Sequence, residues 1–269
     1  MSLRFSQTPR FVKLLLSFIL VIPLIIPVNF VLITPGEATK LFPKMLNISP
    51  SKNSFKTYPV NGQMYLLSIW VTNPEAEIFG YEVLACWAEK DCVVVPRSAV
   101  YEKNTDDKSE TAVAKKEMKS SQSSALTATK SLFKKYYPTI DLSSLNDSNL
   151  KVSLRNTGGP SGGLIFSLGM SELLAPDDLL QGRKIAATGT VSATGAVGAI
   201  GGVEEKIVAA RKVKATVIFI SKENCSELPK SVTGIKVIAV STLEQAFKAL
   251  REPGKLNFRG VQGCTNLDS

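Results

Sequence analysis

The sequence predicts an α/β (α+β) fold, and three observations carry that prediction. Runs of branched apolar residues alternate with helix-period segments from residue 150 to 250. A continuous strand-like run, Gln63–Thr72 (QMYLLSIWVT), stands well before them. An apolar segment near the N-terminus, Leu14–Ile33, is set apart from both and matches the length of a membrane-spanning helix.

Taken in order, Leu14–Ile33 is interrupted only by Ser17, Asn29, Pro23 and Pro27. Arg4, Arg10 and Lys13 precede it, which keeps the N-terminus cytoplasmic and places the rest of the chain outside. Pro35-Gly36-Glu37-Ala38 is a poor cleavage site, so an uncleaved anchor is expected rather than a signal peptide. Thr34-Pro35-Gly36 is expected to break the helix. After the Gln63–Thr72 strand, a helix is predicted over Pro74–Trp87 and a short strand over Cys92–Val95. Asn104–Lys135 reads as a lysine-rich surface helix, with Met118, Ala125 and Leu132 on one face. Pro138–Asn149 is rich in Ser and Asn and reads as a linker.

Beyond it, Val152–Leu154 is a predicted strand and Asn156–Gly159 a glycine loop. Ser161–Leu174 is a helix closed by Pro176, Lys184–Val191 a strand, and Gly195–Gly202 a second glycine loop. Val203–Val213 (helix), Ala215–Ile220 and Lys236–Val240 (strands) and Thr242–Leu250 (helix) complete the pattern. The expected organisation is an N-terminal anchor (1–36), an α+β region (37–137), the linker (138–149), a second α/β domain (150–252) and a tail (253–269).

Composition removes several function classes. The 269 residues contain no histidine, which excludes Ser-His and Cys-His catalysis and imidazole metal sites. A general base must then be Lys, Asp, Glu or Tyr. The net charge of +9 is spread over lysines without interleaved aromatic residues, so a basic face beside anionic lipid is expected rather than nucleic-acid binding. Cys86, Cys92, Cys225 and Cys264 fit disulfides in an oxidising compartment, with three pairings open. No Gly-x-x-x-x-Gly-Lys-Ser/Thr loop occurs, and no nucleotide, metal or other cofactor is expected.

Two motifs carry chemistry. In Asn156-Thr157-Gly158-Gly159-Pro160-Ser161-Gly162-Gly163, a serine sits among glycines just before an apolar helix. Glycines let a substrate approach, and the helix N-terminus offers free N–H groups to an oxyanion. A simple N-cap or an anion-binding nest would use the same residues. In Gly201-Gly202-Val203-Glu204-Glu205-Lys206-Ile207-Val208-Ala209-Ala210, Lys206 has small or apolar helix neighbours at Gly202, Val203, Ala209 and Ala210. Burial among them would lower its pKa, whereas a solvated lysine paired with Glu204 or Glu205 would stay inert. Gly195–Gly201 superficially resembles a dinucleotide loop, but its glycine spacing is wrong.

In order along the chain, Gly159-Pro160-Ser161-Gly162-Gly163, Ala187-Thr188-Gly189-Thr190 and Gly201–Ala210 resemble the proteolytic domain of the Lon peptidases. Ala215–Asn224 and Thr242–Ala246 extend the resemblance over about residues 150–250. It implies a Ser-Lys dyad, with Ser161 as nucleophile, Lys206 as general base and Thr188 helping to orient the lysine. It also implies peptide or protein substrates and ring assembly, with a hexamer as the family precedent. Gly158 stands where many family members carry an acid, so that side chain's role is missing here.

The anchor with Thr34-Pro35-Gly36, Tyr58-Pro59, Val95–Tyr101 and Ser120–Ala125 resembles the bacterial membrane-bound Lon-like proteases of the YlbL type. Those carry a PDZ domain where only residues 138–149 stand here. The expectation is an ATP-independent, single-pass, extracytoplasmic serine endopeptidase of the bacterial cell membrane, acting on unstructured or membrane-proximal proteins. The alternative is a catalytically inactive Lon-fold membrane scaffold.

Overall fold

A computed structural model describes residues 9–49, 55–154, 157–229, 231–252 and 261–264. The helix α1 (Arg10–Ile25) is followed by β1 (Pro27–Val28), β2 (Phe30–Lys40), β3 (Leu46–Ile48), β4 (Gln63–Val71) and β5 (Ile78–Phe79). Next come α2 (Gly80–Ala88), β6 (Val93–Pro96), α3 (Asp107–Tyr136), β7 (Leu150–Val152) and α4 (Gly163–Leu174). Then follow β8 (Lys184–Ala187), β9 (Thr190–Val191), β10 (Val197–Gly198), α5 (Val203–Lys212) and β11 (Val217–Ser221). The series closes with β12 (Lys236–Val240), α6 (Leu243–Arg251) and β13 (Val261–Gln262). The chain divides into two compact units, Met1–Thr34 with Val71–Asp107, and Pro35–Trp70 with Lys108–Ser269.

The smaller unit corrects the expected twenty-residue span. Its helix stops at Ile25, and Phe30–Ile33, the end of the expected span, are strand paired antiparallel with Val93–Pro96. Among the described residues no helix is long and apolar enough to cross a membrane. Pro27 explains the change. It disfavours helical backbone at Ile26, which is extended at φ −87°, ψ 135°, whereas Pro23 lies inside α1 and does not end it. The Pro27–Val28 strand then pairs with Phe79 and Ile78. Arg4 and the rest of residues 1–8 lie outside the described residues.

The helix expected over Pro74–Trp87 begins only at Gly80. Asp107 draws the preceding turn away by accepting from the Glu75 N–H at 3.0 Å and Asn73 Nδ2 at 3.3 Å. Glu82 reaches back to the Phe79 N–H at 2.8 Å and starts α2 there. A disulfide joins Cys86 to Cys92 and closes the connection from α2 to β6.

In the larger unit the strand order is β13-β12-β11-β8-β4-β2, and β4, β8, β11, β12 and β13 run parallel. Parallel strands covered on both faces read as unbroken apolar runs, which is why Val217–Ile220 and Val237–Val240 are buried throughout. Alternate side chains feed two cores. Met64, Leu66, Ile185, Ala187, Val217 and Phe219 pack with α3, α4 and α6. Tyr65, Leu67, Ala186, Ile218, Ile220 and Val237 pack with α5. Thr34-Pro35-Gly36 does not end a helix but lies inside β2, where the Glu37 N–H donates to Ser68 Oγ at 3.0 Å.

Two segments read as surface are structural. The face of α3 bearing Met118, Ala125 and Leu132 is buried as its spacing implies, and Ser121, Leu126, Ala128, Thr129 and Phe133 are buried with it. The 138–149 stretch, expected as a linker, places Leu142 and Leu145 in the same core. β7 begins at Leu150 rather than Val152 because its register is set by β3 (Leu46↔Val152, Ile48↔Leu150). A second disulfide, Cys225–Cys264, settles the cysteine pairing. Of the expected tail, 253–269, only Val261–Cys264 are described.

Candidate active site

Ser161 lies in a single 3-10 turn, Pro160–Gly162, directly before α4. Gly159 enters that turn at φ +83°, a left-handed conformation that glycine takes without steric penalty. The turn is held from two sides. From α3, the Ala114 carbonyl accepts the Gly159 N–H at 2.9 Å, and Ser121 Oγ donates to the Pro160 carbonyl at 2.9 Å. From the end of β8, the Gly189 N–H donates to the Ser161 carbonyl at 3.0 Å, and the Thr188 hydroxyl donates to the same oxygen at 3.5 Å.

This grip explains why the strand expected over Lys184–Val191 breaks at Thr188-Gly189. The Thr188 N–H still bonds to Phe219 of the sheet at 2.9 Å, but the next peptide turns towards α4, where the Gly189 carbonyl accepts the Leu164 N–H at 3.0 Å. Among the described residues the Ser161 N–H has no partner, which leaves it available to a developing oxyanion. Gly162 is confined by packing. A methyl group there would lie 2.7 Å from the Phe166 ring and 3.3 Å from Leu66.

Lys206 lies in the first turn of α5 and is only 3% exposed. Val203, Ala209 and Ala210 are buried around it, as the small-residue spacing predicts. Burial lowers its pKa from 10.5 to about 8, against the opposing pull of Glu205 and then Glu227. About a tenth of such a lysine is neutral at pH 7, roughly 300-fold more than for an unperturbed amine. Burial in turn pushes the Glu205 carboxyl upward.

The loop before α5 is clamped from the 3-10 segment Lys222–Glu227. Asn224, fully buried, accepts the Ile200 N–H at 3.1 Å and donates to its carbonyl at 2.7 Å. Asn224 also donates to Glu227 Oε1 at 2.9 Å, and Glu223 accepts the Ala199 N–H at 2.8 Å. Cys225 in the same segment carries the disulfide to Cys264.

The structure thus brings Thr188 to the backbone of Ser161, where its hydroxyl bonds to the Ser161 carbonyl instead of to the lysine. It does not bond the two principal residues to each other. Helices α4 and α5 cover opposite faces of the sheet, and among the described residues no hydrogen bond joins Ser161 Oγ to Lys206 Nζ. Sequence reasoning gave no role to Ser121, Asn224 or Glu227. Ser121 is one of several serines on a polar helix, and Asn224 and Glu227 reach the site only through the fold. Among the described residues no cluster of Cys, Asp and Glu could hold a metal ion.

A serine on a glycine-flanked turn at a helix N-terminus, in a fold that also buries a lysine of lowered pKa, has the parts of a serine hydrolase. The family model of the Lon protease (S16) C-terminal proteolytic domain matches residues 88–252, and this chain belongs to that family of serine peptidases. No curated protein matches it.

Proposed function

We propose that this chain is an ATP-independent serine endopeptidase in which Ser161 is the nucleophile and Lys206 the general base. The observation that supports it most is the burial of Lys206, which makes a neutral amine accessible near pH 8 in a protein with no histidine. This reading requires Lys206 Nζ to lie within hydrogen-bond reach of Ser161 Oγ, about 3 Å, in the substrate complex. Nζ takes the hydroxyl proton as Oγ attacks the peptide carbonyl, and the Ser161 N–H donates to the resulting oxyanion. The lysine ammonium then protonates the departing amine, leaving the acyl group on Ser161. Water, deprotonated by the regenerated amine, releases the acid product. Thr188 and Ser121 hold the turn through the Ser161 and Pro160 carbonyls while this happens.

The substrates in this reading are unstructured or membrane-proximal proteins, because the 269 residues carry no phosphate-binding loop to drive unfolding. The reading attaches the chain to a bacterial cell membrane through α1, with the peptidase outside the cytoplasm. In support, no residue of α1 is buried by protein, and both disulfides suit an oxidising compartment. A YlbL-type arrangement without a PDZ domain, and assembly into a hexameric ring, belong to the same reading.

The test is cleavage of a fluorogenic unstructured polypeptide without nucleotide. Wild type should turn over, and Ser161→Ala should lose at least about a thousandfold in rate. Equal rates for the two would end the proposal. A reporter fused to the C-terminus should be active only outside the cytoplasm, and a cytoplasmic signal would overturn the topology.

A further inference from the structure

We propose that the outer face of α2, formed by Tyr81, Leu84 and Trp87, rests in the headgroup layer of the membrane that α1 enters, giving the smaller unit a second membrane contact. This rests on the proposed membrane attachment of α1 and adds a specific lipid-contacting surface to it.

The face is built at helical spacing, every third residue, and is 55%, 49% and 68% exposed at Tyr81, Leu84 and Trp87. The opposite side of the same nine-residue helix is anchored by buried Val83 and Cys86. Tyr and Trp favour the membrane–water boundary because each joins an apolar ring to a polar N–H or O–H. Glu82 is turned away from this role, since its carboxylate accepts the Phe79 N–H. Charged Glu89, Lys90 and Asp91 follow the face and stay in water at its far end.

Position is fixed by α1. That helix runs straight into β1, β1 pairs with β5, and β5 leads directly into α2. Gly80, the first residue of α2, packs against the Pro23 carbonyl of α1, where any side chain would collide. The start of α2 is therefore pinned to the end of α1. Sixteen residues give α1 a length of about 24 Å, against about 30 Å for the hydrocarbon core. With Arg10 and Lys13 held at one headgroup layer, residues 14–25 reach only about 18 Å, so the end of α1 stops short of the other layer by roughly 12 Å, a gap that a locally thinned bilayer closes. Whatever is pinned to that end is drawn down to the boundary, and α2 is what is pinned there. The Cys86–Cys92 disulfide holds the end of this short helix; on its outer face Tyr81 stacks on Phe79 with ring centroids 6.0 Å apart, and Leu84 and Trp87 remain exposed among the described residues.

The test uses the full-length chain in vesicles of phosphatidylcholine and phosphatidylglycerol. The protein has two tryptophans, so Trp70→Phe leaves Trp87 as the only reporter. Phosphatidylcholine brominated near the headgroup should quench Trp87 strongly and shift its emission to the blue. Bromine near the chain ends should quench it less. If the chain floats with the vesicles but Trp87 emits as in water and is unquenched, the inference fails while the attachment stands. A blue shift without bromine quenching, growing with protein density, would mean that a second copy covers the face, and would overturn it equally. If the chain does not float with vesicles at all, the attachment itself fails, and the inference with it.

Discussion

Replacing Lys206 by methionine keeps the length of the side chain and removes the buried amine. The pKa of Lys206 is about 8 in the folded chain against 10.5 for the unperturbed group. Between those values the unfolded chain binds more protons, so stability rises with pH across that window. Below pH 8 both states are protonated, and the folded state must bury an ammonium ion. That burial costs about 3 kcal/mol at pH 7, the shift multiplied by about 1.4 kcal/mol per unit. Methionine avoids it. Lys206→Met should therefore be inactive and yet more stable than wild type at pH 7, by up to about 3 kcal/mol or roughly 6–12 °C in Tm. The advantage should shrink by about 2 kcal/mol between pH 7 and pH 9.5, as the wild-type amine loses its proton on folding. Urea denaturation of both proteins at the two pH values measures the difference. A stability gap that is the same at both would refute the buried-ammonium reasoning, as would a variant less stable than wild type at pH 7.

Four further predictions concern the same site. The wild-type kcat/KM should rise about tenfold per pH unit below pH 8 and level off above it. Glu227→Gln, which removes a charge favouring the ammonium, should move that midpoint to lower pH, and a pH–rate profile decides. Ser121→Ala removes the hydrogen bond to the Pro160 carbonyl and should destabilise by about 1 kcal/mol in urea. It should lower kcat without moving the pH midpoint, since it holds the nucleophile's turn and not the base. Gly162→Ala places a methyl against Phe166 and should destabilise by about 1–3 kcal/mol, with Phe166→Leu in the same chain recovering most of the loss.

The second half of the fold was legible because each element there is locally consistent. β11 and β12 are apolar runs buried on both faces. α6 opens with Thr242 accepting the Gln245 N–H, and α5 closes with Arg211 and Lys212 in its last turn. The N-terminal region was not legible in the same way. Helix and strand sequences are equally apolar there, and only Pro27 divides them, so β2 is hidden in what reads as one span. Lysines on its other faces made α3 read as a surface helix, although its buried stripe carries Ser121 to the Ser161 turn. The polar composition of 138–149 concealed Leu142 and Leu145.

The same division runs through the site. Ser161, Thr188 and Lys206 stand in short motifs whose spacing can be read directly. The small neighbours of Lys206 foretell its burial. The acids acting on it split in two: Glu205 is its sequence neighbour, but Glu227 returns to it through the Lys222–Glu227 turn. That return depends on Asn224 and Glu223 bonding back to Ile200 and Ala199 before α5, non-local contacts that no local pattern encodes. The Cys225–Cys264 pairing, across 39 residues, is non-local in the same sense.

The most direct test of the central claim is labelling of the full-length chain with a serine-reactive phosphonate, followed by peptide mapping. The account predicts a single adduct at Ser161, forming faster as pH rises through about 8 and lost in Lys206→Met. An adduct at another serine, or labelling of Ser161 at an undiminished rate in Lys206→Met, would contradict it.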